Sequence, residues 1–398
     1  MTRKQQTGVL LALAVLLLAA NQRAPIVAVG PLAPLIQADL QLGSTLMGWV
    51  TSLPVLCFAL FAPAAPWLAR RFGVQKVLAG AAALLLAGIV LRTAYAHAAV
   101  LLAGTLVLSL GITLANILQP SVVKRYFPLR VGLMTALFSA VMSLVAGTAS
   151  AVSVPLAERY DWAAALWLWA FPALLALLVW LWVLRGSEAA APAPATAAVD
   201  LPLWRLPLAW SISVFMGSQS LVYYMMAAWL PAMVVSKGVP LVEAGWYGLV
   251  FQWVSIPVSF AVGMLAERMR KQTVLAVGAS LCGITGVLGL WFLPTGWATL
   301  CVVLMGASTA GAFALSLMFF SLRTDTPAEA GRLSAMAQTV GYLLAAVGPA
   351  GAGWLLDASG SWLWPLGLLA GVLLIQCACG WHSAQPHTLR QSAARRRS

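Results

Sequence analysis

Long apolar runs alternate with short polar punctuation along nearly the whole chain. They cover residues 8–36, 45–69, 74–93, 99–123, 131–156, 162–184, 208–235, 242–266, 273–293, 297–322, 332–356 and 361–381. A helix needs ~20 predominantly apolar residues to cross a bilayer, and every run reaches that length. The pattern predicts an all-α membrane protein with twelve transmembrane helices. Between the sixth and seventh runs lies Arg185–Pro207, whose Ala/Pro stretch reads as a flexible linker. The expected organisation is a six-helix bundle over 1–184, a cytoplasmic linker over 185–207, a second six-helix bundle over 208–381 and a basic cytoplasmic tail over 382–398.

The first run begins like a secretory signal, with Arg3 and Lys4 ahead of Val9–Ala20. Cleavage near Ala20 is rejected, because the apolar run resumes at Ala24 and continues to Ile36. The two halves also resemble each other at an offset of 197 residues. Pro34 matches Pro231, Gly48-Trp49 matches Gly245-Trp246, and Leu68-Ala69-Arg70-Arg71 matches Leu265-Ala266-Glu267-Arg268. Gln75, Val77, Leu78 and Ala79 match Gln272, Val274, Leu275 and Ala276; with a short slip, Arg125, Pro128 and Gly132 match Arg323, Pro327 and Gly331. Six spans per half is an even number, so both halves keep one orientation. Secondary transporters use such parallel repeats, with a substrate site near the midplane between the halves.

Composition narrows the class further. The 398 residues are 62% hydrophobic and only 8% charged, against the ~25% charged of a soluble domain. A soluble enzyme, a nucleic-acid module and a disordered regulator are excluded. The net charge of +13 is a topology signal. With the N-terminus inside, 19 of the 23 Lys and Arg residues fall on the cytoplasmic side, and Arg92, Arg159 and Lys237 fall opposite. The expected location is therefore a bacterial inner membrane, multi-pass, with both termini cytoplasmic. The basic side can touch anionic lipid. Cys57, Cys282, Cys301, Cys377 and Cys379 all lie in apolar runs and read as small buried hydrophobes; no cofactor or metal site is expected.

The loop Leu68-Ala69-Arg70-Arg71-Phe72-Gly73 resembles the loop pattern of the major facilitator superfamily. Arg70 stands where that pattern carries an acid, and Glu267 keeps one in the second copy. Asn21-Gln22-Arg23, Val29-Gly30-Pro31-Leu32-Ala33-Pro34, Thr51–Phe58, Asn116–Pro128 and Ala228-Trp229-Leu230-Pro231-Ala232 resemble one branch, that of cyanate permeases and 2-nitroimidazole exporters. The resemblance implies a twelve-helix alternating-access transporter of small solutes, with Arg70, Arg71, Glu267 and Arg268 as a gating loop motif.

Physics singles out Arg23. It lies near the middle of the first run, while every other Lys and Arg falls at a span end or in a loop. An Arg at a helix centre costs ~2.5–3.5 kcal/mol on insertion scales and usually faces a cavity. Its planar, permanently charged fork suits a small anion, a carboxylate or a nitro group. The acids Asp39, Glu158, Asp161, Glu188, Asp200, Glu243, Glu267, Asp325, Glu329 and Asp357 all lie in loops or at the very ends of runs. So do His97, His382 and His387, and no buried carboxylate proton relay is expected.

Polar residues at helical spacing supply the remaining candidates. Thr105, Ser109, Thr113, Asn116 and Pro120 share a face, with Gln119 beside it. Thr135, Ser139, Ser143 and Gly147 form a small-residue face whose plain explanation is close helix packing. Gln219 and Tyr223, with Tyr224, mark the seventh run; Gln252, Ser255 and Ser259 mark the eighth; Ser334, Gln338 and Tyr342 mark the eleventh. Pro54, Pro257, Gly348-Pro349 and Gly351 are candidate hinges. The expected substrate-binding set is Arg23, Asn21, Asn116, Gln119, Gln219, Tyr223, Gln252, Gln338 and Tyr342. No span holds His, Asp or Glu in its interior and no P-loop occurs, which argues against an enzyme and an ATP-driven pump. The reading is a monomeric carrier whose partners are a small-molecule substrate and membrane lipid, with no nucleic acid. The solute is small, polar and anionic or nitro-bearing; the alternative is a broader exporter of aromatic or drug-like compounds.

Overall fold

The computed structural model describes residues 3–185 and 202–394. Residues 186–201 of the expected linker lie outside the described residues. Among the described residues there is no strand. The twelve spans are all present as helices. The first is broken into α1 (Arg3–Val27) and α2 (Val29–Leu40), and the second into α3 (Ser44–Phe61) and α4 (Ala64–Phe72). Then come α5 (Val74–Arg92), α6 (Ala98–Tyr126) and α7 (Val131–Arg159), and a sixth span split into α8 (Trp162–Trp167) and α9 (Ala170–Arg185). The second half holds α10 (Pro207–Val235), α11 (Leu241–Arg268), α12 (Thr273–Phe292), α13 (Ala298–Leu322), α14 (Pro327–Ser359) and α15 (Leu363–Ser383), with a short α16 (Leu389–Ala394).

The breaks follow from local chemistry. Pro63 precedes α4, and a proline cannot donate the amide that would continue α3. Thr326 caps α14, its Oγ1 accepting from the Glu329 amide at 3.3 Å, while Glu329 accepts from the Asp325 amide at 2.9 Å. Pro327 occupies the first turn, so the start of α14 is a reciprocal cap. Glu329 also pairs with Arg390 of α16 at 2.7 Å. Both Glu329 and Asp357 thus lie within the 33-residue α14, which extends beyond the expected span at both ends.

Eleven spans are long and apolar enough to cross a membrane by length and composition; α10 is not among them. Its Ser211, Ser213, Ser218, Gln219, Ser220, Tyr223 and Tyr224 dilute its apolar character. Yet α10 is buried along most of its length. A helix surrounded by protein need not be apolar all round, because its polar groups meet other polar groups instead of lipid.

The halves meet where α3 packs on α14, α7 on α11 and α2 on α10. The repeated Gly48 and Gly245 mark two of these crossings. A Cβ on Gly48 would lie 2.5 Å from the Pro349 carbonyl oxygen, and one on Gly245 would lie 2.5 Å from that of Ser150. The same residue in each repeat therefore lets a helix of one half touch the backbone of the other. Asp357 reinforces this end, accepting from the Ser44 amide at 2.8 Å and the Thr45 amide at 2.7 Å. The halves are in contact at this end; toward the opposite one, which carries the start of α1 and the end of α15, Gly132 at the start of α7 and Leu317 near the end of α13 line a cavity between them.

Candidate functional site: a cationic cavity between the halves

A cavity of about 530 Å³ opens between the halves, within the ~300–1,000 Å³ of pockets that enclose organic ligands. It is lined from α1 by Gln22 and Arg23, from α3 by Phe58, from α6 by Asn116 and from α10 by Gln219, Ser220, Tyr223 and Tyr224. Tyr342 of α14 completes the inner end, and Gly132, Phe260 and Leu317 line the mouth.

Arg23 faces this space. Its guanidinium carbon sits 4.8 Å from the centroid of the Tyr223 ring, a cation–π contact. Tyr224 and Tyr342 line the same cavity. The Tyr223 ring belongs to a connected cluster of five: Tyr223 meets Tyr224 edge-on at 5.0 Å and stacks on Phe251 at 5.9 Å, while Phe58 contacts Tyr342 at 5.5 Å and Tyr224 at 6.4 Å. No carboxylate lies within ion-pair distance of Arg23, since Arg390 makes the ion pairs seen among the described residues. The inner cavity offers donors around a fixed positive charge and no anionic acceptor.

The cavity gathers Arg23, Asn116, Gln219, Tyr223 and Tyr342 of the expected set. Gln252 is one step back: it is buried, and its amide exchanges hydrogen bonds with the Tyr223 hydroxyl at 3.0–3.2 Å. Besides Gln252, three further expected ligands do not line the cavity. Asn21 is buried and its amide donates to the Leu17 carbonyl at 2.8 Å. Gln119 is turned toward α1, donating to the Val15 carbonyl at 2.8 Å and accepting from the Gln22 amide. Gln338 donates to Ser334 Oγ at 2.8 Å within its own helix.

Two stripes behave oppositely. Thr105, Ser109 and Thr113 are buried and donate to the carbonyls of Leu101, Thr105 and Ser109 at 2.5–2.8 Å, so that face of α6 is for packing. Thr135, Ser139 and Ser143 line the cavity with Ser255 and Ser259 opposite. Gly147 instead packs on Trp253. In the loop motif, Arg70, Arg71, Glu267 and Arg268 are exposed. Arg71 lies 5.6 Å from the Trp67 ring centre and 5.4 Å from that of Phe72. No hydrogen bond or ion pair forms at Glu267 among the described residues.

The model for the Major Facilitator Superfamily matches residues 11–349. The chain belongs to this superfamily. As a major facilitator protein it is 35% identical over 378 residues to the 2-nitroimidazole transporter of Escherichia coli (strain K12), covering 94% of this chain and 95% of that one. It is 29% identical over 355 residues to the cyanate transport protein CynX of the same organism, covering 88% and 91%. The crystal structure of a D-xylose-proton symporter superposes with a TM-score of 0.76 at 15% identity, covering 96% of this chain and 98% of that one. Superfamily members are transporters, which places this chain among multi-pass membrane proteins rather than enzymes.

Phe58, Phe251, Gln22 and Thr309 are cavity or ring-cluster residues that the sequence pattern did not single out. Phenylalanines in an apolar run carry no distinguishing signal. Gln22, adjacent to Arg23, was open to notice as a second polar residue deep in the first run.

Proposed function

We propose that this protein is a secondary carrier that moves a small anionic or nitro-bearing solute by alternating access, with Arg23 as its central ligand. The observation that carries the reading is the Arg23 guanidinium in the cavity, 4.8 Å above the Tyr223 ring and with no carboxylate to neutralise it. A permanent charge at membrane depth is costly unless a partner of opposite sign or good acceptor strength arrives. A carboxylate, a cyanate-like anion or a nitro group supplies that partner, and Arg offers a fork of donors to it. Asn116, Gln219 and Tyr342 stand around the same point to orient a planar solute. The names of the two Escherichia coli relatives agree with small solutes of this kind. The cationic bias of the loops supports cytoplasmic termini in an inner membrane, and with that orientation the present state is inward-facing.

The test is thermal stabilisation of purified wild type and Arg23→Gln by cyanate, nitrate, benzoate and 2-nitroimidazole. Ligand binding to the folded state raises stability by RT ln(1 + [L]/Kd). Stabilisation of the wild type by one compound class, lost in Arg23→Gln, is expected. An equal response of both proteins refutes the role of Arg23. Counterflow in proteoliposomes then separates a carrier from a channel, which gives none.

A further inference from the structure

The sequence pattern placed Arg92 at the outer end of the third run; it is the last residue of α5 but, unlike a solvated span-end cation, it is only 1% exposed. Its Nη1 donates to the Pro25 carbonyl at 2.8 Å. Nε and Nη2 are buried and have no hydrogen-bond partner. Leaving a buried guanidinium this poorly satisfied is costly, so the one bond it makes calls for an explanation.

Pro25 is two residues beyond Arg23, in the last turn of α1. The helix stops at Val27 and α2 starts at Val29, so the ladder of backbone bonds is interrupted after Ala24 and the Pro25 carbonyl is open to another donor. The Ala24 carbonyl receives the Ala28 amide at 2.9 Å, and the Pro25 carbonyl receives Arg92. Below Arg23, α1 is gripped in the same manner. Gln119 of α6 donates to the Val15 carbonyl at 2.8 Å and accepts from Gln22, and Trp180 of α9 donates to the Ala14 carbonyl at 3.1 Å. A Cβ on Gly104 would run into the backbone of Arg92, so α5 and α6 are in close contact where the Arg92 side chain starts. Arg23 therefore sits between a lower clamp built from Gln119 and Trp180 and an upper clamp built from Arg92.

We propose that Arg92 is a positioning residue for substrate binding: by holding the Pro25 carbonyl at the break in the first span, it fixes the direction in which Arg23 enters the cavity. This rests on the reading of Arg23 as the substrate ligand. The experiment is a double-mutant cycle with Arg23→Gln, Arg92→Met and the pair, titrating cyanate and 2-nitroimidazole by thermal shift. Arg92→Met should weaken binding of the responsive probe about tenfold, and Arg92→Lys, which keeps a charged donor for Pro25, should restore most of it. The double variant should bind no worse than Arg23→Gln alone, because both changes remove the same interaction. Wild-type affinity in Arg92→Met, or penalties that add in the double variant, overturns the proposal while leaving Arg23 as ligand. Unchanged affinity in Arg23→Gln overturns both. Should Arg92→Met not survive purification, uptake by Arg92→Lys and Arg92→Gln in intact vesicles gives the same answer: a raised KM at unchanged maximal rate for Gln, but not Lys, is expected, and equal KM values overturn it.

Discussion

The carboxylate of Asp357 accepts the backbone amide of Ser44 at 2.8 Å across the boundary between the two halves. The N-cap of α3 is Gly43, which has no side chain to offer. Asp357 fills that role from α14, adding the Thr45 amide and hydroxyl, both at 2.7 Å. A helix N-terminus favours a carboxylate through its free amides and its dipole. Because the cap comes from the other half, it exists while this end is closed and is lost when the end opens. Asp357→Ala is expected to favour the opposite, outward-open state about fivefold, the equivalent of a cap worth ~1 kcal/mol. Dipolar spectroscopy between spin labels at Leu42 and Ser361 reads the shift as a longer distance population; an unchanged distribution refutes the latch.

Ser143 and Ser255 mark the point at which α7 and α11 separate, their hydroxyls 3.0 Å apart. Beyond them Ser139 and Ser259 line the cavity without touching. The helices run antiparallel, so the register that pairs Ser143 with Ser255 pairs Ser139 with Ser259 one turn further on. Closing the terminal side should bring that second pair together. In a background with the five free cysteines replaced, Ser143→Cys/Ser255→Cys should cross-link in any inward-open sample. Ser139→Cys/Ser259→Cys should do so only once transported solute drives closure. Disulfides need Cα atoms within ~7 Å, so absence of the second cross-link during turnover means that closure uses another register.

Gly48→Ala and Gly245→Ala test the crossings from the other direction. Each added methyl meets a backbone oxygen at 2.5 Å, and backbone cannot give way as a side-chain tip can. Both variants should loosen the closed end, lengthening the Leu42–Ser361 distance for Gly48→Ala. Apparent melting temperature should fall modestly, and the two effects should add, since the crossings share no residue.

Much of this architecture was legible in the chain because a bilayer imposes length and polarity on each span. The repeat was informative as well: the Gly48 and Gly245 match corresponds to a physical requirement at two equivalent crossings. What the sequence withheld was direction around each helix. Asn116 and Gln119 lie one turn apart on α6, yet Asn116 meets the cavity and Gln119 grips α1. Which of two polar neighbours faces the space depends on helix rotation and tilt, which packing between distant spans sets. Arg92 was hidden for a related reason. A cation at the end of an apolar run looks solvated until another helix is seen to cover it.

The three tyrosines around Arg23 are not equivalent, and that difference predicts an order of effects. The Tyr223 hydroxyl is engaged with Gln252, and its ring supports the guanidinium. The hydroxyls of Tyr224 and Tyr342 make no hydrogen bond to protein groups among the described residues, although both side chains line the cavity. A phenol without a partner beside a cation is free to donate to an anion held there. Hydrogen bonds to charged groups contribute ~1.5–3 kcal/mol, which corresponds to roughly tenfold to a hundredfold in affinity. Tyr342→Phe and Tyr224→Phe should each weaken binding of an anionic probe toward the lower end of that range while sparing thermal stability without ligand. Tyr223→Phe should cost less, because it removes a hydroxyl already occupied and keeps the ring. Tyr223→Leu should cost more than Tyr223→Phe, because it removes the face on which Arg23 rests. Titration of each variant with the anion that stabilises the wild type decides the order; a larger loss for Tyr223→Phe than for Tyr342→Phe would move the anion's contact from the free phenols to the Tyr223–Gln252 pair.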